Sequence, residues 1–220
     1  VSDCHSSSAP LQPVVIRGRM PLLALAGQPN VGKSTLFNWL TGLNQHVGNW
    51  PGKTVERREG NFFVNGRQYG IVDLPGTYSL TANSPEEVIT REYILREQPD
   101  LVIAVVNAAN LERSLYLVAE LISLSAPLAV ILNMMDVAKG EGLSIEPDVL
   151  EAALGVPVIP MTARHATGMQ DFYRAVQDIL DGRRVFTPRL PEIRADHRAM
   201  LAEISNHIHG HVPSPYPESW

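Results

Sequence analysis

The sequence predicts an α/β fold: a mostly parallel sheet of six strands, helices on both faces and one antiparallel edge strand. Two observations carry this. Short apolar runs rich in β-branched residues alternate with stretches of helical period, the pattern of parallel strands joined by right-handed crossovers. Between two strand-like runs stands Asn65-Gly66, a strong two-residue hairpin signal that adds the antiparallel strand.

The elements follow in order. Leu22–Ala26 is a short apolar strand ending in a glycine loop, and Ser34–Thr41 is helical. Val55–Val64 and Arg67–Val72 form the hairpin. Pro85–Arg96 is a helix with Ser84 as N-cap and Glu86 and Glu87 in its first turn. Leu101–Val106 is a strand, Leu111–Leu124 a helix whose stripe Leu111, Leu115, Val118, Ile122 is ordinary core, and Leu128–Leu132 a strand. Glu146–Leu154 is a short helix, Val156–Pro160 a strand and Met169–Leu180 a helix. Ligands of such sheets sit at the carboxyl ends of the strands, which puts the loops at 27–34, 73–77, 133–136 and 162–164 on one rim.

Three segments are expected: a Ser- and Pro-containing leader (1–20), one α/β domain (21–182) and a linker with the start of a helical domain (183–220). In the last, Glu192–His209 carries the apolar stripe Ile193, Met200, Leu201, Ile204, which a lone helix cannot bury, so we expect the chain to stop inside that domain.

Composition narrows the function classes. Of 220 residues, 45% are apolar, enough for a core. The net charge of −5 argues against a nucleic-acid partner, which needs a basic surface. One cysteine, Cys4, cannot form an internal disulfide and suits a reducing compartment. No apolar run reaches the roughly 18–20 residues of a membrane span, and a soluble chain is expected. Cys4-His5 and His207, His209, His211 invite a metal reading, but two leader residues, or histidines interrupted by Gly210 without a carboxylate, do not make a site.

The chemistry is carried by four motifs. Gly27-Gln28-Pro29-Asn30-Val31-Gly32-Lys33-Ser34 matches G-x-x-x-x-G-K-[ST] between a strand and a helix. Backbone groups of Gly27, Asn30, Val31, Gly32, Lys33, Ser34 and Thr35 would cradle phosphate, helped by the helix N-terminus. Lys33 would meet the β- and γ-phosphates, and Ser34 would give its hydroxyl to Mg²⁺. Asp73-Leu74-Pro75-Gly76, about forty residues on, offers a carboxylate to Mg²⁺ and a Gly76 N–H to the γ-phosphate. In the loop 47–57, Thr54 is placed to ligate Mg²⁺ and touch the γ-phosphate, which makes the loop a nucleotide switch. Asn133-Met134-Met135-Asp136 follows a strand. Its Asp136 carboxylate can accept the ring N–H and exocyclic amine of guanine, a donor pair adenine lacks. Thr162-Ala163-Arg164 follows the last strand, with the Ala163 N–H toward the guanine carbonyl.

In this order the motifs resemble those of the Ras-like P-loop GTPases. With Val-Gly-Asn-Trp-Pro-Gly-Lys-Thr-Val-Glu-Arg (47–57), Asp-Leu-Pro-Gly-Thr-Tyr-Ser-Leu (73–80) and Asn-Leu-Glu-Arg-Ser-Leu-Tyr-Leu (110–117), the chain is more specifically similar to the bacterial ferrous iron transport protein B family over residues 21–182. That resemblance implies a cytosolic domain binding GTP and GDP, followed in the family by a helical domain and a membrane iron(II) permease, in the bacterial inner membrane. It implies catalytic roles for Lys33, Thr54, Gly76 and Asn30, Mg²⁺ at Ser34, Thr54 and Asp73, and guanine held by Asn133, Asp136, Thr162 and Ala163. Members with Asn at position 30 use K⁺, which would bridge Asn30 and the backbone at Asn49 and Trp50. Homo-oligomerisation is left open.

The chain departs from the family pattern in places. Thr77 stands where Ras-type enzymes carry a water-positioning Gln, so slow hydrolysis is expected. Glu86 and Glu87 are charged neighbours but read as a solvated helical turn. Met134 replaces the usual Lys, with a stem able to pack on the base, and Asn107 replaces an expected Asp. Competing readings are a nucleotide sensor with negligible turnover and a GTPase of ribosome assembly or tRNA modification; an ATPase is disfavoured by Asp136.

Overall fold

The computed structural model describes residues 19–189. The expectations for Cys4-His5, for the helix at 192–209 and for His207, His209 and His211 lie outside these residues. Among the described residues seven strands form one sheet: β1 (Leu22–Gly27), β2 (Gln45–Asn49), β3 (Glu56–Val64), β4 (Arg67–Asp73), β5 (Leu101–Asn107), β6 (Leu128–Asn133) and β7 (Val158–Pro160). Their order is β2-β3-β4-β1-β5-β6-β7. The five strands β4-β1-β5-β6-β7 are mutually parallel, while β3 runs antiparallel to both neighbours.

The expected architecture holds, with seven strands in place of six and β2, not a hairpin strand, at the edge. β2 reads Gln-His-Val-Gly-Asn, without an apolar face; backbone pairing to β3 from Gln45↔Gly60 to Asn49↔Glu56 makes it a strand. The hairpin forms as expected: Asn65 (φ 49°) and Gly66 (φ 79°) both take the left-handed region, as a type I′ turn demands.

Six α-helices accompany the sheet among these residues: α1 (Lys33–Thr41), α2 (Pro85–Glu97), α3 (Leu111–Ser123), α4 (Met135–Gly140), α5 (Pro147–Leu154) and α6 (Met169–Leu180). The central strands are buried on both faces, which is why they read as continuous apolar runs. Alternation sorts their side chains. Leu23, Leu25, Ile103, Val105 and Ile131 pack with Leu36 and Phe37 of α1 and Phe172 and Val176 of α6. Ala24, Ala26, Val102, Ala104 and Val130 pack on the other face with Ile89 and Tyr93 of α2 and Leu117 and Leu121 of α3. β1 is flanked by β4 and β5, so the chain departs in opposite directions around its carboxyl end, where such sheets open a crevice for a ligand.

Ser84 caps α2 through a complete capping box: its hydroxyl accepts from Glu87 N–H, and the Glu87 side chain accepts from Ser84 N–H. Ser84→Ala should cost about 1 kcal/mol, read as a lowered urea midpoint with an unchanged slope. Glu87 is thus occupied in the cap and also accepts from Ser79 Oγ at 2.8 Å and Asn83 N–H at 2.7 Å.

Candidate nucleotide site

At the carboxyl end of β1 the chain turns through 28–32 into α1. Gln28, Pro29, Asn30, Gly32, Lys33, Ser34, Thr35, Gly76 and Met134 line an open cavity of about 510 Å³. Gly32 caps α1 in the left-handed region (φ 92°) with no side chain accepting from the first helical N–H groups, so these donors stay open at the helix end. A Cβ on Gly32 would lie 2.2 Å from Asn133 Nδ2, so only glycine fits there. Gly27 ends β1 with its carbonyl accepting from Thr77 N–H at 3.1 Å, tying this loop to the 74–84 segment.

Lys33 and Asp73 are both buried and form an ion pair. Lys33 Nζ also donates to Leu74 O at 2.6 Å, and Ser34 Oγ donates to Asp73 Oδ2 at 3.4 Å. The cavity wall therefore holds an ammonium and a hydroxyl, and behind them stands the buried Asp73 carboxylate that both side chains bond, brought from forty residues away by the β1–β4 pairing. Gly76 packs so closely that a Cβ would meet three Pro29 atoms at 3.2 Å.

The second loop pair is joined through one side chain. Asn133 is buried and stitches two loops together: Nδ2 donates to Val31 O at 2.8 Å and Oδ1 accepts from Ala163 N–H at 2.8 Å. The Ala163 N–H, the group expected to face guanine, here donates to Asn133, as a buried donor takes the acceptor within reach. Thr162 pairs by backbone with Thr167. Asp136 is exposed in the first turn of α4, a helix missing from the sequence reading, which begins just after left-handed Met134 (φ 63°). Met134 lines the cavity as its apolar stem suggested.

Thr54 is exposed and is not among the residues lining the cavity. Nor are Asn49, exposed at the end of β2, and Trp50, buried against α2. Asn30 is exposed at the rim. Thr77 is buried, its hydroxyl donating to Ser79 O at 2.6 Å. Asn107 accepts from Ala109 N–H at 2.9 Å, a role an amide oxygen fills as well as a carboxylate.

Sequence reasoning missed Gln28 and Arg113. Buried Gln28 donates from Nε2 to Arg113 O at 2.6 Å, and the Arg113 guanidinium sits 4.2 Å above the Tyr78 ring. Glu120 accepts from Leu80 N–H at 2.8 Å, and burial pushes its carboxyl above the usual range. Residues of α3 thus hold both the phosphate loop and the 78–80 segment. No spacing rule announces such contacts; the signal was an amide and a cation inside the quoted motifs, at positions their phosphate chemistry does not use. Among the described residues there is no cluster of three or more His, Cys, Asp or Glu that could hold a metal, and no helix long and apolar enough to cross a membrane.

Comparison with known proteins agrees with this geometry. The family model for Ferrous iron transport protein B matches residues 22–176. An Fe(2+) transporter FeoB of Escherichia coli (strain K12) is 48% identical over 167 residues, covering 71% of this chain and 22% of that protein. The chain therefore spans about a fifth of the length of the curated relatives it matches. A point mutant of S. thermophilus NFeoB bound to GDP has a TM-score of 0.79 at 40% identity, covering 89% of this chain and 75% of that one. The cytosolic domain of T. maritima FeoB in GMPPNP form has a TM-score of 0.82 at 33% identity, covering 91% and 79%. The phosphate-loop cavity, the Lys33–Asp73 pair and the matched segment coincide, and the chain belongs to the ferrous iron transport protein B family.

Proposed function

We propose that this chain binds guanine nucleotide and hydrolyses GTP slowly to GDP and phosphate, with Mg²⁺ and with stimulation by K⁺. The cycle would regulate iron(II) uptake by a membrane-embedded permease region of the same protein, with this chain on the cytoplasmic side of a bacterial inner membrane. The observation that carries the reading is the cavity itself: an open helix N-terminus with Lys33 and Ser34 on its wall and the Asp73 carboxylate bonded to both from behind. The relatives with GDP and in GMPPNP form support the choice of nucleotide. Asp136, exposed in the turn that opens α4, is the group available to accept from guanine.

Mg²⁺ fits the residues present. Ser34 Oγ and Asp73 Oδ2 lie 3.4 Å apart, two oxygen donors of the kind a hard, water-retaining cation takes. When bound it would neutralise charge on the β- and γ-phosphate oxygens. Lys33 contributes three N–H donors, enough to keep one on Leu74 O while turning another toward phosphate. For K⁺ the donor set is half assembled: Asn30 stands at the rim, but Asn49 and Trp50 lie off the cavity wall and Trp50 O accepts from Lys53 N–H at 3.0 Å. K⁺ stimulation thus requires the 49–55 loop to move, the motion that would also bring in Thr54. The work left to the protein is positioning and charge neutralisation.

Thr77 favours a second reading, a nucleotide sensor with negligible turnover, because its hydroxyl is buried and occupied and cannot orient water. Phosphate release from GTP and ATP, each in KCl and NaCl, separates the two. We expect slow, GTP-selective release that rises in KCl and loses that rise in Asn30→Ala. GTP binding without release in either salt would establish the sensor.

A further inference from the structure

The loop that carries Thr54 is held away from the cavity by an aromatic latch. The Trp50 backbone N–H donates to Val55 O at 2.9 Å and Trp50 O accepts from Lys53 N–H at 3.0 Å, so residues 50–55 close on themselves. The tip, Pro51 to Thr54, is exposed, but Trp50 is only 7% exposed and belongs to the core on the α2 face. Its indole meets the Tyr93 ring edge-to-face, with centroids 5.4 Å apart and planes at 78°. The Arg57 guanidinium covers it at 4.9 Å. Burial, with Glu59 and Glu97 nearby, pushes the Tyr93 phenol up to about 12, so this partner stays neutral across the working pH range.

The latch carries an internal cost. Trp50 Nε1 is buried without a hydrogen-bond partner. Ring burial and the edge-to-face contact favour the docked loop, and the orphaned donor opposes it. A loop held by opposing terms can be displaced by a competing ligand, whereas a fully satisfied core residue is not.

We infer that Trp50, seated on Tyr93, is a positioning residue that sets the preference of this chain between GTP and GDP, by holding Thr54 out of the nucleotide cavity until a γ-phosphate draws the loop in. The inference rests on the guanine-nucleotide reading above. GDP needs only the 27–35 loop and the 133–136 and 162–163 loops, all formed here, and so is indifferent to the latch. A triphosphate that recruits Thr54 must first break the Trp50–Tyr93 contact. Loosening the latch from the α2 side therefore raises triphosphate affinity and leaves diphosphate affinity where it was.

The test is Tyr93→Leu, which keeps an apolar side chain in the core and removes the ring, beside Tyr93→Phe, which keeps the ring and removes the hydroxyl. GMPPNP and GDP affinities are measured on each with Mg²⁺ present. The expected result is a rise of about fivefold in the GMPPNP-to-GDP affinity ratio for Tyr93→Leu, with GDP affinity unchanged and Tyr93→Phe matching the unaltered chain. A ratio unchanged or lowered in Tyr93→Leu overturns the inference. A second measurement does not depend on that variant folding. The chain has three tryptophans, so Trp39→Phe with Trp220→Phe leaves Trp50 as the only indole. Its fluorescence should be shielded from iodide without nucleotide and with GDP, and become quenchable with GMPPNP. Equal shielding in all three states overturns the latch, whereas an unaltered chain that binds neither nucleotide overturns the guanine reading instead.

Discussion

Lys33→Met is expected to weaken GTP binding by roughly 100-fold or more and to destabilise the nucleotide-free chain by about 3 kcal/mol. Lys33 and Asp73 are both buried and are paired with each other. Removing the ammonium strands a carboxylate whose remaining partner is Ser34 Oγ at 3.4 Å, a long contact. Breaking one side of a buried pair costs more than the pair itself contributes, because the surviving charge has lost both water and partner. Lys33→Met combined with Asp73→Asn should therefore recover most of the stability while binding stays lost. Urea unfolding and GTP titration on the single and double variants check this. Recovery of binding in the double variant would mean that Lys33 serves the fold and does not hold phosphate.

Asn133→Ala should be nearly as damaging, by a different route. Its carboxamide satisfies Val31 O and Ala163 N–H, both at 2.8 Å in a buried site. Truncation orphans an acceptor and a donor at about 1–3 kcal/mol each, so a fall in melting temperature of roughly 5–15 °C follows for a chain this size. Guanine nucleotide affinity should fall at least about tenfold, because the loop that cradles phosphate and the loop after β7 are joined through this one side chain. Asn133→Asp should not rescue: it keeps an acceptor for Ala163 N–H but turns an oxygen on Val31 O. An unchanged melting temperature in Asn133→Ala would show that the two loops hold their places without it.

How far the sequence discloses this site depends on where each contact lies along the chain. The Gly32-Lys33-Ser34 turn is contiguous, its residue types are forced by a left-handed cap and a close approach, and it is legible in full. The strands β1, β5 and β6 are legible because burial on both faces writes a continuous apolar run. β2 is not, since a polar edge strand owes its state to the partner it pairs with. α4 is hidden for a related reason: six residues following a left-handed methionine carry too little periodicity to announce a helix. Motif spacing points Asn133 and Ala163 directly at guanine, yet here they bond each other across thirty residues, a partnership that spacing alone does not reveal. Trp50 in its Gly/Pro loop reads as a packed hydrophobe as well as a backbone ligand, and it is buried; what the sequence does not name is its partner, Tyr93 of a helix more than forty residues on.

The two loops near the site are held differently. The 27–35 loop is fastened to the sheet through Gly27, to α3 through Gln28 and to β4 through Lys33. The loop at 50–55, by contrast, is anchored to the core on the α2 face through Trp50 and Val55, while its tip from Pro51 to Thr54 is exposed. If the chain binds nucleotide as proposed, a fastened 27–35 loop beside a loop with an exposed tip is the arrangement that could answer to one phosphate more or less.

If this cavity takes a guanine nucleotide through Asp136, calorimetric titration of the 220-residue chain with GDP and with ADP will show it, on the unaltered protein and on Asp136→Ala. Saturable GDP binding is expected, with ADP binding at least about 100-fold weaker and a preference that collapses in Asp136→Ala while that variant's melting curve stays in place. Equal affinity for the two nucleotides, or a guanine preference that survives Asp136→Ala, would contradict the assignment.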